Sequence, residues 1–311
     1  MPTVDELVER LLAGNRRALS RLLTLIENDS PAGRRALAAL YPKSGRAHTV
    51  GLTGSAGSGK STLSGALARE MRRRGKTLGI VAIDPTSPFS QGAILGDRIR
   101  MQDLTSDPDV FLRSMATRGN LGGLAPSTAG VVTALDAFGK DVVLVETVGA
   151  GQDEVEVAAM ADTTIVVVTP GTGDDVQAMK AGIMEIADIL VVNKRDLPNA
   201  DLLARQIASI VDSQTGGRRT PILKTAGGLN EGITELADAI DEHRDYLDQN
   251  QVREAHRAEQ ARHQVLGIAR QRLIDGLIAR HAADGRLAAL VDAVARREID
   301  PHTAADRLIA E

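Results

Sequence analysis

Gly54-Ser55-Ala56-Gly57-Ser58-Gly59-Lys60-Ser61-Thr62 lies between a short apolar run, His48-Thr49-Val50-Gly51-Leu52-Thr53, and a stretch of helical periodicity from Leu63 to Arg74. Strand, glycine loop, Gly-Lys-Ser and helix, in that order, are the context a phosphate-binding loop needs. The backbone N–H groups of such a loop form an anion nest at a helix N-terminus. Glycines let the backbone close on phosphate without Cβ clashes. Lys60 is placed to reach the β and γ phosphates, and the Ser61 hydroxyl to ligate Mg²⁺. The competing reading is a Gly/Ser-rich turn that happens to precede a lysine. Spacing, flanking strand and flanking helix all speak against it.

Composition narrows what surrounds this loop. The 311 residues exceed one average domain. They are 43% hydrophobic but only 2% aromatic, so the core must be built from Val, Ile, Leu and Ala. A formal net charge of -4 argues against a protein whose main work is gripping nucleic acid. The chain has no cysteine, which excludes disulfides, thiolate metal sites and cysteine nucleophiles. The N-terminus carries no signal-peptide pattern, and no apolar run approaches the roughly 20 residues needed to span a bilayer. A cytoplasmic protein without a membrane partner is expected.

Short apolar runs alternate with helical stretches from 48 to about 245, the pattern of a parallel sheet with helices on both faces. Strands are expected at His48–Thr53, Leu78–Ile83, Val110–Ser114, Val142–Glu146, Thr164–Thr169, Ile189–Asn193 and Pro221–Lys224. The domain reading is a helical N-terminal extension over 1–47, a nucleotide-binding domain over 48–245 and a helical C-terminal arm over 246–311. In the extension, Thr3 with Glu6 forms a capping box, and Ser30-Pro31 reads as an N-cap followed by proline. Packing on the next domain is its favoured role, partner contact the alternative.

Ligands of such sheets sit beyond the C-terminal strand ends. The second strand ends in Asp84-Pro-Thr-Ser-Pro88, and a long loop then leads to Asp97. Both acids are candidates to hold Mg²⁺, directly or through water. Equally, Asp84 can be a turn-former and Asp97 a helix N-cap. The fourth strand ends in Glu146-Thr147-Val148-Gly149, the pattern of a γ-phosphate-sensing switch, with Glu where Asp is usual. Gly149 could offer its N–H to that phosphate. Ala150 follows, where Ras-like proteins carry a water-orienting Gln, and Gln152 lies two residues on. Slow intrinsic hydrolysis, or hydrolysis stimulated by a partner, is the expectation. The fifth strand runs into Pro170-Gly171-Thr172-Gly173-Asp174-Asp175, with Gln177 and Lys180 opening the next helix. This is either a plain strand-to-helix turn or a third nucleotide-sensitive loop.

Asn193-Lys194-Arg195-Asp196 closes the sixth strand and reads as the guanine reader. The Asp196 carboxylate can accept from N1–H and the 2-amino group of guanine, a donor pair adenine lacks. Asn193 ties the motif to the phosphate loop or the base edge, and the Lys194 stem covers the base plane. Thr225-Ala226 fits an accessory loop whose backbone N–H contacts guanine O6. GTP or GDP is therefore expected rather than ATP.

From 246 on, Val252 through Leu277 reads as one long amphipathic helix. Gly285 then breaks the pattern, and Asp300-Pro301 starts a last helix. Length and apolar stripe favour a dimerisation arm over a lid. His256 and His263 have no carboxylate or thiol partner in the sequence pattern, so a solvated face is expected for them.

Taken together, these motifs resemble the MeaB/ArgK GTPases, the methylmalonyl-CoA mutase-associated GTPases of the SIMIBI class, over nearly the whole chain. The signatures are Gly54–Ser61, Asp84-Pro-Thr-Ser-Pro-Phe89, Ile94-Leu-Gly-Asp-Arg98, Glu146-Thr-Val-Gly-Ala-Gly-Gln152, Pro170–Asp175 and Asn193–Asp196. The resemblance implies a SIMIBI-type P-loop fold, and a homodimer that binds an adenosylcobalamin-dependent mutase, gates cofactor delivery and protects the enzyme from inactivation. It also implies that Ser61, Asp84, Asp97 and Glu146 form the Mg²⁺ and catalytic neighbourhood with Lys60. It makes Gly171, Asp174, Asp175, Gln177 and Lys180 part of a third switch read by the mutase. A nickel-type metal-insertion GTPase is the runner-up, disfavoured by the lack of Cys and of a His cluster. A signal-recognition-type GTPase lacks its Met-rich or basic RNA-binding domain. A vestigial scaffold is disfavoured because Lys60, Ser61, Asp84 and Asp196 are all present.

Overall fold

The computed structural model describes residues 2–84, 101–116, 126–147, 153–171, 183–211, 219–250 and 252–310. All seven expected strands form: β1 His48–Thr53, β2 Leu78–Asp84, β3 Val110–Ala116, β4 Val142–Glu146, β5 Thr163–Val168, β6 Ile189–Val192 and β7 Ile222–Lys224. They make one sheet in the order β3-β2-β4-β1-β5-β6-β7, parallel throughout. The four strands β1, β4, β5 and β6 are buried along their whole length. That burial is why they read as continuous apolar runs rather than alternating ones.

Twelve α-helices are described: α1 Val4–Leu12, α2 Arg16–Glu27, α3 Pro31–Leu40, α4 Lys60–Arg73, α5 Gln102–Ser106, α6 Pro126–Ala137, α7 Asp153–Ala158, α8 Ala200–Val211, α9 Ile233–Gln249, α10 Val252–Ala283, α11 Arg286–Ala295 and α12 Pro301–Ile309. Their ends follow local chemistry. Thr3 and Glu6 close a capping box at α1. Ser30 caps α3 with Pro31 in its first turn, and Asp300 caps α12 ahead of Pro301. α4 starts at Lys60, three residues before the periodicity of the sequence suggests. Gly59, at φ 89°, makes the left-handed turn into it.

The first 47 residues share a core with the sheet. Leu11, Leu19, Leu22, Leu23 and Ile26 belong to one apolar cluster with Leu135 of α6 and with Val143 and Val145 of β4. The backbone of α6 comes close to α2 at Gly130, where a Cβ would meet Ile26 Cγ2 at 2.8 Å. Asp136 of α6 then accepts from the N–H groups of Gly45 at 2.5 Å and of Arg46 and Ala47 at 3.1 Å, fixing the segment into β1. On the edge strand β3, Arg16 donates to the carbonyls of Pro108 and Val110 and lies over the Phe111 ring. Arg113 pairs with Glu27. The extension thereby ties down the start of an edge strand, where Arg16 occupies the Val110 carbonyl.

The chain divides into two compact units, Met1–Arg257 and Ala258–Glu311. This differs from the three-part division read from sequence. The extension is not separate because its apolar face is completed by α6 and the sheet, and the first turns of α10 belong with the sheet. Arg253 Nη1 lies 3.7 Å from Asp162 Oδ1, His256 Nε2 bonds the Ala161 carbonyl at 2.9 Å, and Arg257 donates to the Gly45 carbonyl at 2.7 Å. His256 is therefore half-buried and engaged rather than solvated as expected, whereas His263 is exposed. Beneath this root the Thr163 hydroxyl joins two buried imidazoles, His48 Nε2 at 2.7 Å and His243 Nδ1 at 2.8 Å. Among the described residues no helix is long and apolar enough to cross a membrane.

Candidate nucleotide site

Three strand ends build the site. β1 delivers the glycine loop. Gly54, at φ 137°, brings its α-carbon so close to β5 that a Cβ would lie 2.0 Å from the Val167 carbonyl oxygen. Within the loop Gly57 and Gly59 also have positive φ, at 80° and 89°. A Cβ on Gly59 would strike Asn193 Nδ2 at 2.5 Å. The Lys60 ammonium curls back over the loop and donates to the carbonyls of Gly54 at 2.7 Å and Ser55 at 2.8 Å. Lys60 is only 6% exposed, and its charge stays inside the nest rather than in bulk water.

β4 lies next to β1 in register, Leu52 opposite Glu146, and next to β2, Ala82 opposite Glu146. Glu146 and Asp84 consequently close neighbouring parallel strands at the same sheet edge. Ser61, in the first turn of α4, donates from Oγ to Glu146 Oε1 at 2.5 Å, and Glu146 is 4% exposed. A hydroxyl and a carboxylate meeting at one point supply hard oxygen donors, a set that fits Mg²⁺, which takes few protein ligands beside phosphate and water. Thr147, buried behind them, donates from its hydroxyl to Thr53 Oγ1 at 3.3 Å and so ties the β4 end to the β1 end.

β6 delivers Asn193, which is almost fully buried and acts as a hub. Its Nδ2 donates to Ser58 O at 2.8 Å. Its Oδ1 accepts from the Thr225 hydroxyl at 3.0 Å and from the Gly227 N–H at 3.3 Å. Lys194, at φ 57°, donates from Nζ to Gly57 O at 2.8 Å. Arg195 N–H donates to Thr225 O at 2.9 Å. The Asn193–Arg195 segment, the phosphate loop and the loop after β7 are thus one bonded unit. Asp196 is exposed beside it, free to meet a ligand without first breaking a buried contact.

The structure brings together Gly54, Ser55, Ala56, Gly57, Ser58, Gly59, Lys60, Ser61, Thr62, Glu146, Asn193, Lys194 and Thr225, and it sets Asp84 on the neighbouring strand end. The Ala226 N–H, expected to face a base, donates to Glu231 O at 3.0 Å. Gly171 is exposed at φ 101° directly after β5. Asp97, Gly149, Asp174, Asp175, Gln177 and Lys180 lie outside the described residues. Two contributors were missed in the sequence. Thr147 went unnoticed because the eye stops at the acid before it. Gly227 sits so tightly on α4 that a Cβ would lie 3.1 Å from Leu63 Cα; its only sequence signal is the Gly-Gly pair after Thr225-Ala226.

Comparison with known proteins agrees with this geometry. Residues 19–282 match the family described as methylmalonyl Co-A mutase-associated GTPase MeaB. A protein of Pyrococcus abyssi described as a GTPase is 45% identical over 313 residues, covering 99% of this chain and 96% of that one. The GTPase ArgK of Escherichia coli is 40% identical over 201 residues, 63% of this chain and 61% of that protein. The mitochondrial methylmalonic aciduria type A homolog of Caenorhabditis briggsae is 39% identical over 210 residues, 63% of this chain and 51% of that protein. Among solved structures, a LAO/AO transport system kinase superposes with a TM-score of 0.74 at 26% identity, over 98% of this chain and 96% of that one. The fold is that of a SIMIBI-type P-loop GTPase with helical extensions. The chain belongs to the MeaB family of methylmalonyl Co-A mutase-associated GTPases.

Proposed function

We propose that this GTPase is a chaperone of an adenosylcobalamin-dependent acyl-CoA mutase, methylmalonyl-CoA mutase first among them, and that its nucleotide state gates cofactor delivery and protects the mutase from inactivation. The single observation that carries the nucleotide half is the Asn193 hub, which binds a guanine-reading segment to a phosphate loop through Ser58. Ser61 and Glu146, with Asp84 and Asp97, would hold Mg²⁺, which supplies charge neutralisation to the β and γ phosphates. Lys60 would bind those phosphates, and Gly149 would present its N–H to the γ-phosphate. Asp196, Lys194 and the Thr225-Ala226 loop would take the base. Hydrolysis is slow alone and rises with the partner, since Ala150 cannot orient water.

The mutase half is supported by the family's description and by the name of the Caenorhabditis relative. The loop carrying Gly171, Asp174, Asp175, Gln177 and Lys180 is the proposed reader of the mutase. In the second compact unit, Val265, Leu266, Leu273, Ile274 and Ile278 of α10 are exposed. A second copy of the chain is their proposed occupant, making a homodimer through the arm. The test is capture of a cobalamin-dependent mutase on the immobilised protein with GTP, with GDP and without nucleotide. Capture that depends on nucleotide, with cofactor loading of the captured enzyme changing in step, is the expected result. Equal capture in all three states would refute the gating.

A further inference from the structure

Gly51 is the third-last residue of β1 and stands directly below the phosphate loop. It needs no unusual backbone. What it lacks is a side chain, and the space is taken by the segment that follows the β4 acid. A Cβ on Gly51 would lie 2.8 Å from Val157 Cγ2 and 3.1 Å from Ala161 Cβ. Val157 is fully buried in α7, and Ala161 is 1% exposed. The N–H groups of Met160 and Ala161 both return to the Val157 carbonyl, at 3.1 and 2.9 Å, so Val157 to Ala161 is a compact block. That block ends on β1 again, where the Asp162 N–H donates to Thr49 O at 2.8 Å.

The two sides of this contact differ in stiffness. β1 is held on both flanks, with Gly51 opposite Val145 of β4 and opposite Thr164 of β5. α7 has six residues, little more than one turn. Val157 is β-branched and cannot swing its methyls away. A methyl group added at position 51 would therefore displace α7 and leave the strand in place. α7 opens at Asp153, only seven residues after Glu146 in the chain, so a displacement of α7 is passed back along a short length of chain toward that acid. The phosphate loop is held by other contacts, a bond from Asn193 to Ser58 O and the close packing of Gly54 on Val167.

We propose that Gly51 is a positioning residue for GTP hydrolysis: its missing side chain fixes how closely α7 seats on β1, and through that seat it aligns the hydrolytic side of the site without touching nucleotide. The proposal rests on the reading of Glu146 as an acid of the hydrolytic site. Gly51→Ala is expected to lower kcat for GTP by about tenfold, the scale on which small misplacements of catalytic groups act, while GDP affinity shifts by less than about twofold. Removing two methyls opposite the added one should restore the fit. The double variant Gly51→Ala/Val157→Ala is expected to regain most of the lost kcat. Val157→Ile in the unaltered background adds bulk to the same contact from the other side and should reproduce the loss, which keeps the test open if Gly51→Ala does not fold. Wild-type kcat in both Gly51→Ala and Val157→Ile overturns the proposal. So does a parallel fall of GDP affinity and kcat, or a double variant no better than Gly51→Ala. Glu146→Gln is run alongside: if it hydrolyses GTP at the wild-type rate, the reading of Glu146 fails, whatever the Gly51 variants do.

Discussion

Asn193 and Ser58 are joined by a 2.8 Å bond from the amide Nδ2 to a backbone carbonyl, although they lie on loops after different strands. The same amide group accepts from Thr225 through Oδ1 at 3.0 Å. Asn193→Ala would leave Thr225, which is fully buried, and Ser58 O without this partner, at a cost of about 1–3 kcal/mol for each unsatisfied group. The glycine loop would lose its registration with the base-reading segment. We expect affinity for GDP and GTP to fall together by about tenfold or more, with a lower urea midpoint in the nucleotide-free protein. Calorimetric titration showing unchanged GDP affinity would remove Asn193 from its role as hub.

Asp196 tests the base side separately. It is exposed, so Asp196→Asn should leave the fold intact. The new amide presents a donor where guanine offers its 2-amino group, so GTP binding should weaken by about a hundredfold or more. Xanthine carries a carbonyl at that position, and XTP binding should improve. Competition titrations with GTP, ITP, XTP and ATP would read this out. A variant that kept its GTP preference would show that the base is read elsewhere.

The contrast between those two residues shows what was legible in the sequence. Asn193 and Asp196 were found as a motif, and so was the glycine loop, because each chemistry lies within a few consecutive residues. The seven strands were found for the same reason: each is a continuous apolar run. The strand order was not legible, nor was the fusion of the N-terminal helices to the sheet. Asp136 holds Gly45, Arg46 and Ala47 from about 90 residues away in the chain, and nothing near either partner signals it. The Thr163 bridge between His48 and His243 spans sequence separations of 115 and 80. In a linear reading those three residues are a strand start, a strand start and a helix interior.

That buried bridge gives the protein a pH dependence. Burial, followed by the nearby Arg253 and Arg244 charges and by His243, pushes the His48 imidazole down from 6.5 to about 3. An unfolded chain takes up the proton near pH 6.5 and the native one does not. The stabilisation is therefore fully present above pH 6.5 and is lost as pH falls toward 3, by about 1.4 kcal/mol per pH unit. Asp162, 3.8 Å from His48 Nδ1, is pushed up by burial; its protonation in the fold offsets part of the loss at the acid end. His48→Gln keeps a donor for Thr163 but does not titrate. Urea unfolding between pH 7 and pH 5 should show a flatter slope in this variant, by about 1 kcal/mol per unit averaged over that window. Identical slopes would mean that His48 takes up its proton as readily in the folded protein as in the unfolded chain.

The root of α10 makes the last prediction a matter of where the chain is cut. Arg253 faces Asp162, and His256 bonds Ala161 O at 2.9 Å. A chain ending at Arg257 keeps both contacts and the whole first compact unit, and it should fold, bind GDP with unchanged affinity and run as a monomer in light scattering. A chain ending at Asp245 removes Arg253, which leaves the buried Asp162 carboxylate with the Thr49 N–H at 2.8 Å and the neutral His48 ring at 3.8 Å, and no cation paired with it among the described residues. Loss of a charge partner at such a site costs about 2 kcal/mol or more. The shorter chain should therefore unfold at lower urea than the longer one even though both lack the exposed apolar stripe of α10. If the chain ending at Arg257 stays dimeric, the arm is not the dimer contact. If the two truncated chains are equally stable, the first turns of α10 are passive and the sheet needs nothing beyond Asp245.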